Sequence, residues 1–97
     1  MTSAVPWTLK NFNAWLDRWQ DQENPSVDLA FTVTEWVMTR AMDPRKDAAP
    51  DPGQPDLWFA WVPQSGDGCG NAISCSYRID PVARTVTCNI ICSLPWP

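Results

Sequence analysis

The residues of this chain that could do chemistry are few, and histidine is absent from all 97 positions. Without histidine the chain lacks the commonest general base, the Ser-His-Asp triad and the usual zinc-bound water site. Its carboxylates form no catalytic pair, since most are spaced as surface or helix-dipole charges and Asp67 lies in a glycine-rich turn. The sequence therefore favours a protein without catalytic activity, and it predicts no metal and no cofactor.

The cysteines are confined to the C-terminal third of the chain, and they contain no CxxC pair. This spacing matches no common zinc framework. The segment Met1–Lys10 has neither the cationic start nor the apolar core of a signal peptide, and no apolar run could span a bilayer. We therefore expect a cytoplasmic chain with reduced, buried thiols, with two disulfides or a metal site as the alternatives. The four residues are Cys69, Cys75, Cys88 and Cys92.

Seven tryptophans are more than a single core of this size can easily bury, because each removes on the order of 200 Å² from water. Trp58 and Trp61 are three positions apart, so in a strand they point to opposite faces. One of them, with Trp7 or Trp96, is expected on the open side of the sheet as an apolar patch that binds a protein partner. Chain termini covering that patch, or a stacking ligand such as a sugar, are the alternatives.

The net charge of -4 gives no broad basic face for nucleic acid. The few basic residues nevertheless fall in two groups, one at the end of the second predicted helix and one in the predicted hairpin. They could form a local positive patch or be scattered surface charges. The predicted partner-binding residues are Trp58, Trp61, Arg78, Trp96, Arg45 and Lys46.

Two helices are predicted in the N-terminal half. The first spans 8–21, with Thr8 as its N-cap and Leu9, Phe12, Leu16 and Trp19 forming one apolar stripe. The second spans 26–42, with Ser26 as its N-cap.

A proline-rich linker and a sheet are predicted to follow the helices. The linker spans 43–56 and the sheet spans 57–94, within one domain over 1–97. In the predicted hairpin Tyr77 pairs with Cys88, Cys75 with Ile90 and Ile73 with Cys92, so Ile90 and Cys92 share a face with Cys88. The predicted fold is therefore α+β, with two N-terminal helices packed on a three-stranded antiparallel β-meander.

Short motifs in these elements resemble a known family. Ser76–Asp80 reads SYRID, Arg84–Val86 reads RTV, and Met42–Pro44 reads MDP at the end of the second predicted helix. With the order of helices, proline-containing connection and meander, they resemble the RelE/ParE superfamily, the toxins of bacterial toxin–antitoxin pairs. The resemblance covers residues 8–93 in outline, and the family's usual first strand would be missing or shortened to Ser3–Trp7.

The resemblance implies either cleavage of messenger RNA on the ribosome or non-catalytic poisoning of DNA gyrase. RNA-cleaving members use basic residues on the sheet face and a C-terminal aromatic residue or histidine. Arg78 matches by position, Arg84 is a second candidate, and Trp96 stands where the aromatic residue would be. If the chain cleaves RNA, Arg78 and Arg84 are the expected catalytic residues, stabilising a phosphorane-like charge.

We expect a small interaction protein that binds a target protein, a cognate antitoxin or a second copy of itself. No membrane is involved, and nucleic acid is reached only through a partner. The first alternative is the ribosome-associated RNA-cleaving toxin. The second is an acidic phage-type inhibitor that occupies a basic groove of its target through Asp43, Asp47, Asp51 and Asp56.

Overall fold

A computed structural model describes residues 5–96 of the chain, and it has an α+β architecture. Two helices pack on one face of a five-stranded mixed sheet with the strand order β1-β5-β4-β3-β2. The elements within the described residues are β1 (Thr8–Lys10), α1 (Phe12–Glu23), α2 (Val27–Thr39), β2 (Ala49–Asp51), β3 (Gln54–Trp61), β4 (Asn71–Asp80) and β5 (Thr85–Pro95).

The predicted N-terminus of the first helix is wrong. Thr8 is not a helix cap but the first residue of β1, and its N–H donates to the carbonyl of Arg84 at 2.9 Å. Strand β1 lies parallel to β5. The spacing of Leu9 fits the apolar stripe of the helix that follows, but the pairing with β5 holds Leu9 in a strand instead. Helix α1 begins at Phe12, after Asn11 turns the chain with a φ of 64°.

The break between the helices and the cap of the second helix are as predicted. Asn24 ends α1 in the left-handed conformation, with its N–H donating to the carbonyl of Gln20, and Pro25 follows. The Ser26 hydroxyl accepts the N–H of Leu29 at 3.1 Å, which caps α2. The helix ends before the predicted residue 42, because the chain tightens into turns from Arg40 onward.

The sheet is larger than the predicted three-stranded meander. Strands β3, β4 and β5 form that antiparallel meander, while β1 and β2 extend it at its two edges. The segment 43–56, predicted as a linker, contains β2 and the start of β3. Pro50 lies in β2, an edge strand, where the N–H that proline lacks is not required for pairing on the outer side. The proline-rich segment was therefore predicted as a linker although part of it is an edge strand.

A bulge in β5 changes which side chains face the helices. Tyr77 pairs with Cys88 as predicted, but Ser76 pairs with Ile90, so Asn89 is an extra residue in β5. Beyond the bulge the alternation is shifted by one residue. Cys75 therefore pairs with Ile91, which is buried against the helices, whereas Ile90, predicted to pair with Cys75, is exposed on the other side.

The hydrophobic core lies between the helices and one sheet face. The helices contribute apolar side chains spaced at one turn, and β4 contributes alternate residues from Ile73 to Ile79. The helix-covered core comprises Phe12, Leu16, Trp19, Val33, Val37, Ala60, Val62, Ile73, Cys75, Tyr77, Ile79, Val86, Cys88 and Ile91. Both helices therefore cover the same face, and no helix of the described chain lies on the other.

Candidate functional site

The sheet face opposite the helices is the candidate functional site, and we call it the open face. Small side chains of the central strand β4 form its floor, and larger side chains of β3 and β5 rise on either side. The strand register places on this face Leu57, Phe59, Trp61, Ala72, Ser74, Ser76, Arg78, Thr87, Ile90, Cys92 and Leu94. The result is a shallow groove with apolar walls.

Three aromatic rings cluster at one end of the open face. The ring of Trp61 lies edge-on to Phe59, with 5.3 Å between ring centroids, and edge-on to Trp96, with 4.8 Å. Edge-to-face contacts at these distances are favourable, so the rings hold one another in place. Trp96 is nevertheless 55% exposed, so the cluster presents aromatic surface to solvent. Trp61 is thus the tryptophan that the alternation predicts on the open side.

A cleft of about 570 Å³ adjoins the aromatic cluster. It lies between Trp61, Trp96 and the loop that joins β3 to β4, and Ala72 of the open face also lines it. The buried Ser65 hydroxyl donates to the carbonyl of Val62 at 2.7 Å and accepts the N–H of Ile73 at 2.8 Å. The loop is therefore held in shape by its own hydrogen bonds, and the cleft is pre-formed.

Asp67 fixes the tip of this loop. Its carboxylate accepts the backbone N–H groups of Cys69 at 2.7 Å and Asn71 at 3.2 Å, and these bonds lower its pKa below 3.8. Gly70 has a φ of 94°, which favours glycine, and its carbonyl accepts the N–H of Trp96 at 2.7 Å. The loop thereby positions Trp96 over the open face.

The other end of the open face is polar. The guanidinium of Arg78 pairs with Asp56 at 2.9 Å and donates to the side chain of Gln54 at 2.8 Å. Both ends of this ion pair are solvent-exposed, so its contribution to stability is small. Arg78 lies on the polar sheet face, as the hairpin alternation predicts, but a carboxylate already neutralises its charge.

The remaining predicted basic residues lie on the helix side. Arg84 stacks on the ring of Trp7, with its guanidinium carbon 4.5 Å from the ring centroid, and donates to the carbonyl of Val5 at 2.7 Å. Arg45 lies near the same ring at 5.4 Å and near Trp58 at 5.8 Å. Trp7 and Trp58 both pack against the helix-covered core. Trp7 is therefore not on the open side, and Arg78 and Arg84 do not share a site.

The predicted contact residues are thus divided between two surfaces. Trp61, Arg78 and Trp96 belong to the open face, whereas Trp58 and Arg45 belong to the helix side. The Lys46 side chain is exposed, while its carbonyl accepts a hydrogen bond from Arg40.

A buried arginine network was missed by the sequence analysis. Arg40 is only 3% exposed, and its guanidinium donates to the carbonyl of Lys46 at 2.8 Å and to the Tyr77 hydroxyl at 3.2 Å. That hydroxyl donates to the carbonyl of Pro44 at 2.6 Å. Burial raises the pKa of Tyr77 above 10.0, and the hydrogen bond from Arg40 offsets part of this effect. The network ties the loop after α2 to the sheet, so its role is structural.

Most of the acidic side chains proposed as an inhibitor surface are engaged in local contacts. Asp43 accepts the backbone N–H of Arg45, and Asp51 accepts the backbone N–H groups of two following residues. Asp56 pairs with Arg78. Asp47 is an exposed residue with a φ of 55°. Two of these four carboxylates therefore shape turns, and a third is paired with an arginine.

The four cysteines are free, with Cys69 exposed and Cys75 and Cys88 buried. The hydrogen bond to Cys88, together with burial, raises the pKa of Cys75 well above 9.0. Among residues 5–96, no cluster of three His, Cys, Asp or Glu side chains is arranged to hold a metal ion.

Comparisons with protein-family models, with curated proteins and with solved structures find no match for this chain. In the part of the chain that the structure describes, no helix is long and apolar enough to cross a membrane.

Proposed function

We propose that this chain is a small protein-binding module that contacts its partner through the open face. The observation that carries the proposal is the cluster of Phe59, Trp61 and Trp96 beside a pre-formed cleft. Exposed aromatic side chains that lose little conformational entropy on binding are typical of the centre of a protein interface. The groove between β3 and β5 suits an extended partner segment that places apolar side chains over Ala72 and Ser74 and one side chain in the cleft.

The proposal includes the kind of partner that the RelE/ParE resemblance implies, an antitoxin or a target protein. A short strand, β1, precedes the two helices, which supports the resemblance in element order. The family's first strand was expected to be missing or shortened to Ser3–Trp7. Residues 5–7 are not in a strand, and residues 3 and 4 lie outside the described residues. RNA cleavage has less support, since Arg78 is paired with Asp56 while Arg84 stacks on Trp7 on the helix side.

Co-purification of an affinity-tagged chain from its native host tests the proposal. The Trp61→Ala/Trp96→Ala variant is expected to lose at least about 90% of a specific partner, because interface centres contribute at least about 2 kcal/mol. The matched control is Val82→Ala, which removes an apolar side chain that is 94% exposed in the turn away from the open face.

The proposal is wrong if the tryptophan variant retains its partner while its circular dichroism spectrum shows that it is folded. Loss of the partner with Val82→Ala would equally contradict it. An RNA-cleaving toxin would give a different result, namely growth arrest on expression in bacteria that Arg78→Ala relieves without loss of fold.

A further inference from the structure

The position of Trp96 depends on a hydrogen bond to the loop between β3 and β4. Strand β5 ends at Pro95, so Trp96 lies just beyond the pairing with β4. Pro95 itself has no N–H to donate. The Trp96 N–H donates to the carbonyl of Gly70 at 2.7 Å, and its ring contacts that of Trp61. The Gly70 carbonyl therefore determines where the Trp96 ring begins.

The backbone around Gly70 is held by a single side chain. The Asp67 carboxylate accepts the N–H groups of Cys69 and Asn71, the two neighbours of Gly70, at 2.7 and 3.2 Å. Its second oxygen accepts the side-chain amide of Asn71 at 3.2 Å, and the Asp67 N–H donates to the Asn71 carbonyl at 3.0 Å. Gly70 is thus enclosed in a turn of which both flanks are bound to Asp67.

Gly70 is required by the conformation of this turn and not by lack of space. Its φ is 94°, a value that side chains of L-residues rarely allow. A Cβ atom added at Gly70 would meet no other atom within 4 Å. The backbone conformation that directs the carbonyl to Trp96 is therefore the feature that glycine supplies here.

The same loop forms part of the cleft beside the aromatic cluster. Backbone at Gly66, Gly68 and Gly70 lines the cleft together with Trp61 and Trp96. Every side chain that lines the cleft is uncharged, so no charge is available there to anchor a partner. Affinity must then come from the fit of apolar surfaces, and that fit is weaker when the binding side chains have to be ordered first.

We propose that Asp67 is a positioning residue for the open face. By fixing both flanks of Gly70 it holds Trp96 in place before a partner arrives, and it raises the affinity of the open face without contacting the partner. The inference rests on the proposed function, because it concerns the affinity of the same surface. Asp67 acts as a hydrogen-bond acceptor, so asparagine, which keeps one acceptor oxygen and favours such turns, is expected to replace it.

Circular dichroism of the full chain tests the positioning of Trp96. Two indole rings with centroids 4.8 Å apart couple as excitons, and Trp96→Phe identifies the part of the spectrum that this pair contributes. Asp67→Ala is expected to lose most of that signal, whereas Asp67→Asn is expected to retain it. The matched control is Asp80→Ala, because the Asp80 carboxylate accepts the N–H groups of Val82 and Ala83 in a similar turn at the other end of β4. It is expected to leave the signal unchanged.

Co-purification from the native host tests the effect on affinity, with the immobilised chain titrated against a fixed amount of lysate. The partner is the protein that the wild-type chain captures and that the Trp61→Ala/Trp96→Ala variant loses. Asp67→Ala is expected to bind it about 3- to 10-fold more weakly, because Trp96 must then be ordered on binding. Asp67→Asn and Asp80→Ala are expected to bind it as the wild-type chain does.

The two measurements separate this inference from the proposed function. If Asp67→Ala keeps the exciton signal, or loses the signal and still binds the partner as the wild-type chain does, the inference is overturned and the proposed function stands. Equal losses of affinity in Asp67→Ala and Asp80→Ala would also overturn it, since the effect would then be one of general stability. If the tryptophan variant loses no protein, both the proposed function and the inference are wrong.

Discussion

The two faces of the sheet use the same residue type in opposite ways. Trp19 is buried between α1 and the sheet, and its indole N–H has no hydrogen-bond partner in the described part of the chain. Trp61 lies on the open face, where its ring contacts Phe59 and Trp96. On the helix-covered face the indole is closely packed although its N–H is left unpaired, whereas on the open face aromatic surface remains accessible to solvent. The first face therefore holds the fold together, and the second is the face that we propose for contact with a partner.

The largest expected difference between the faces is in stability. Trp19→Ala is expected to lower the free energy of unfolding by about 3–5 kcal/mol, because it leaves a cavity in the core. Trp61→Ala is expected to cost only about 1 kcal/mol, since its ring contacts are near the surface. Equilibrium unfolding in urea measures both changes. Equal losses for the two variants would contradict the division of roles between the faces.

Arg40, on the helix-covered side of the sheet, and Arg78, on the open face, provide the next comparison. Arg40→Met is expected to cost about 3 kcal/mol, because it leaves the carbonyl of Lys46 and the buried network around Tyr77 incompletely paired. Arg78→Met, which removes an exposed ion pair, is expected to cost less than about 1 kcal/mol. Thermal unfolding with calorimetry measures the two effects. A larger loss for Arg78→Met would mean that the open face also supports the fold.

A smaller loss of stability is expected at alkaline pH, and it also arises from side chains on the helix-covered face. The pKa of Tyr77 is raised above 10.0 by burial, and that of Cys75 is raised above 9.0 by its hydrogen bond to Cys88 and by burial. The unfolded chain loses these protons at lower pH than the folded chain, so stability is full below pH 9 and falls as pH rises further.

Urea unfolding at a series of pH values from 8 to 11 measures this slope. Tyr77→Phe is expected to flatten the part of the slope above pH 10, whatever its effect on stability at pH 8. A control, Trp61→Ala, is expected to leave the slope unchanged. If Tyr77→Phe does not alter the slope, the pKa of the Tyr77 hydroxyl is the same in the folded and the unfolded chain, which would contradict this prediction.

Local patterns predicted the parts of the fold that depend on local chemistry. The Ser26 cap, the break before Pro25 and the hairpin register as far as Tyr77 and Cys88 are found as predicted. The elements that were missed depend on distant contacts. Strand β1 exists because it pairs with a strand at the other end of the chain, and β2 because β3 lies beside it.

The candidate site could be predicted only in part, for the same reason. Alternation along β3 predicted that either Trp58 or Trp61 lies on the open side, and the strand register places Trp61 there. The bulge at Asn89 has no clear signal in the sequence, so Ile90 was assigned to the wrong face. Arg40 could not be recognised as buried, because its hydrogen-bond partners are two hydroxyls and one carbonyl rather than a carboxylate.

The most direct measurement of the central claim is site-specific photo-crosslinking in the native host, with a benzophenone amino acid placed at one position at a time. The claim predicts that position 90, on the open face, crosslinks to one protein. It also predicts that position 82, which is more exposed than position 90 but lies in the turn between β4 and β5, does not, and that Trp61→Ala abolishes the crosslink from position 90. The same crosslinked protein from position 82, or a crosslink from position 90 that persists in Trp61→Ala, would contradict the assignment of the open face to partner binding.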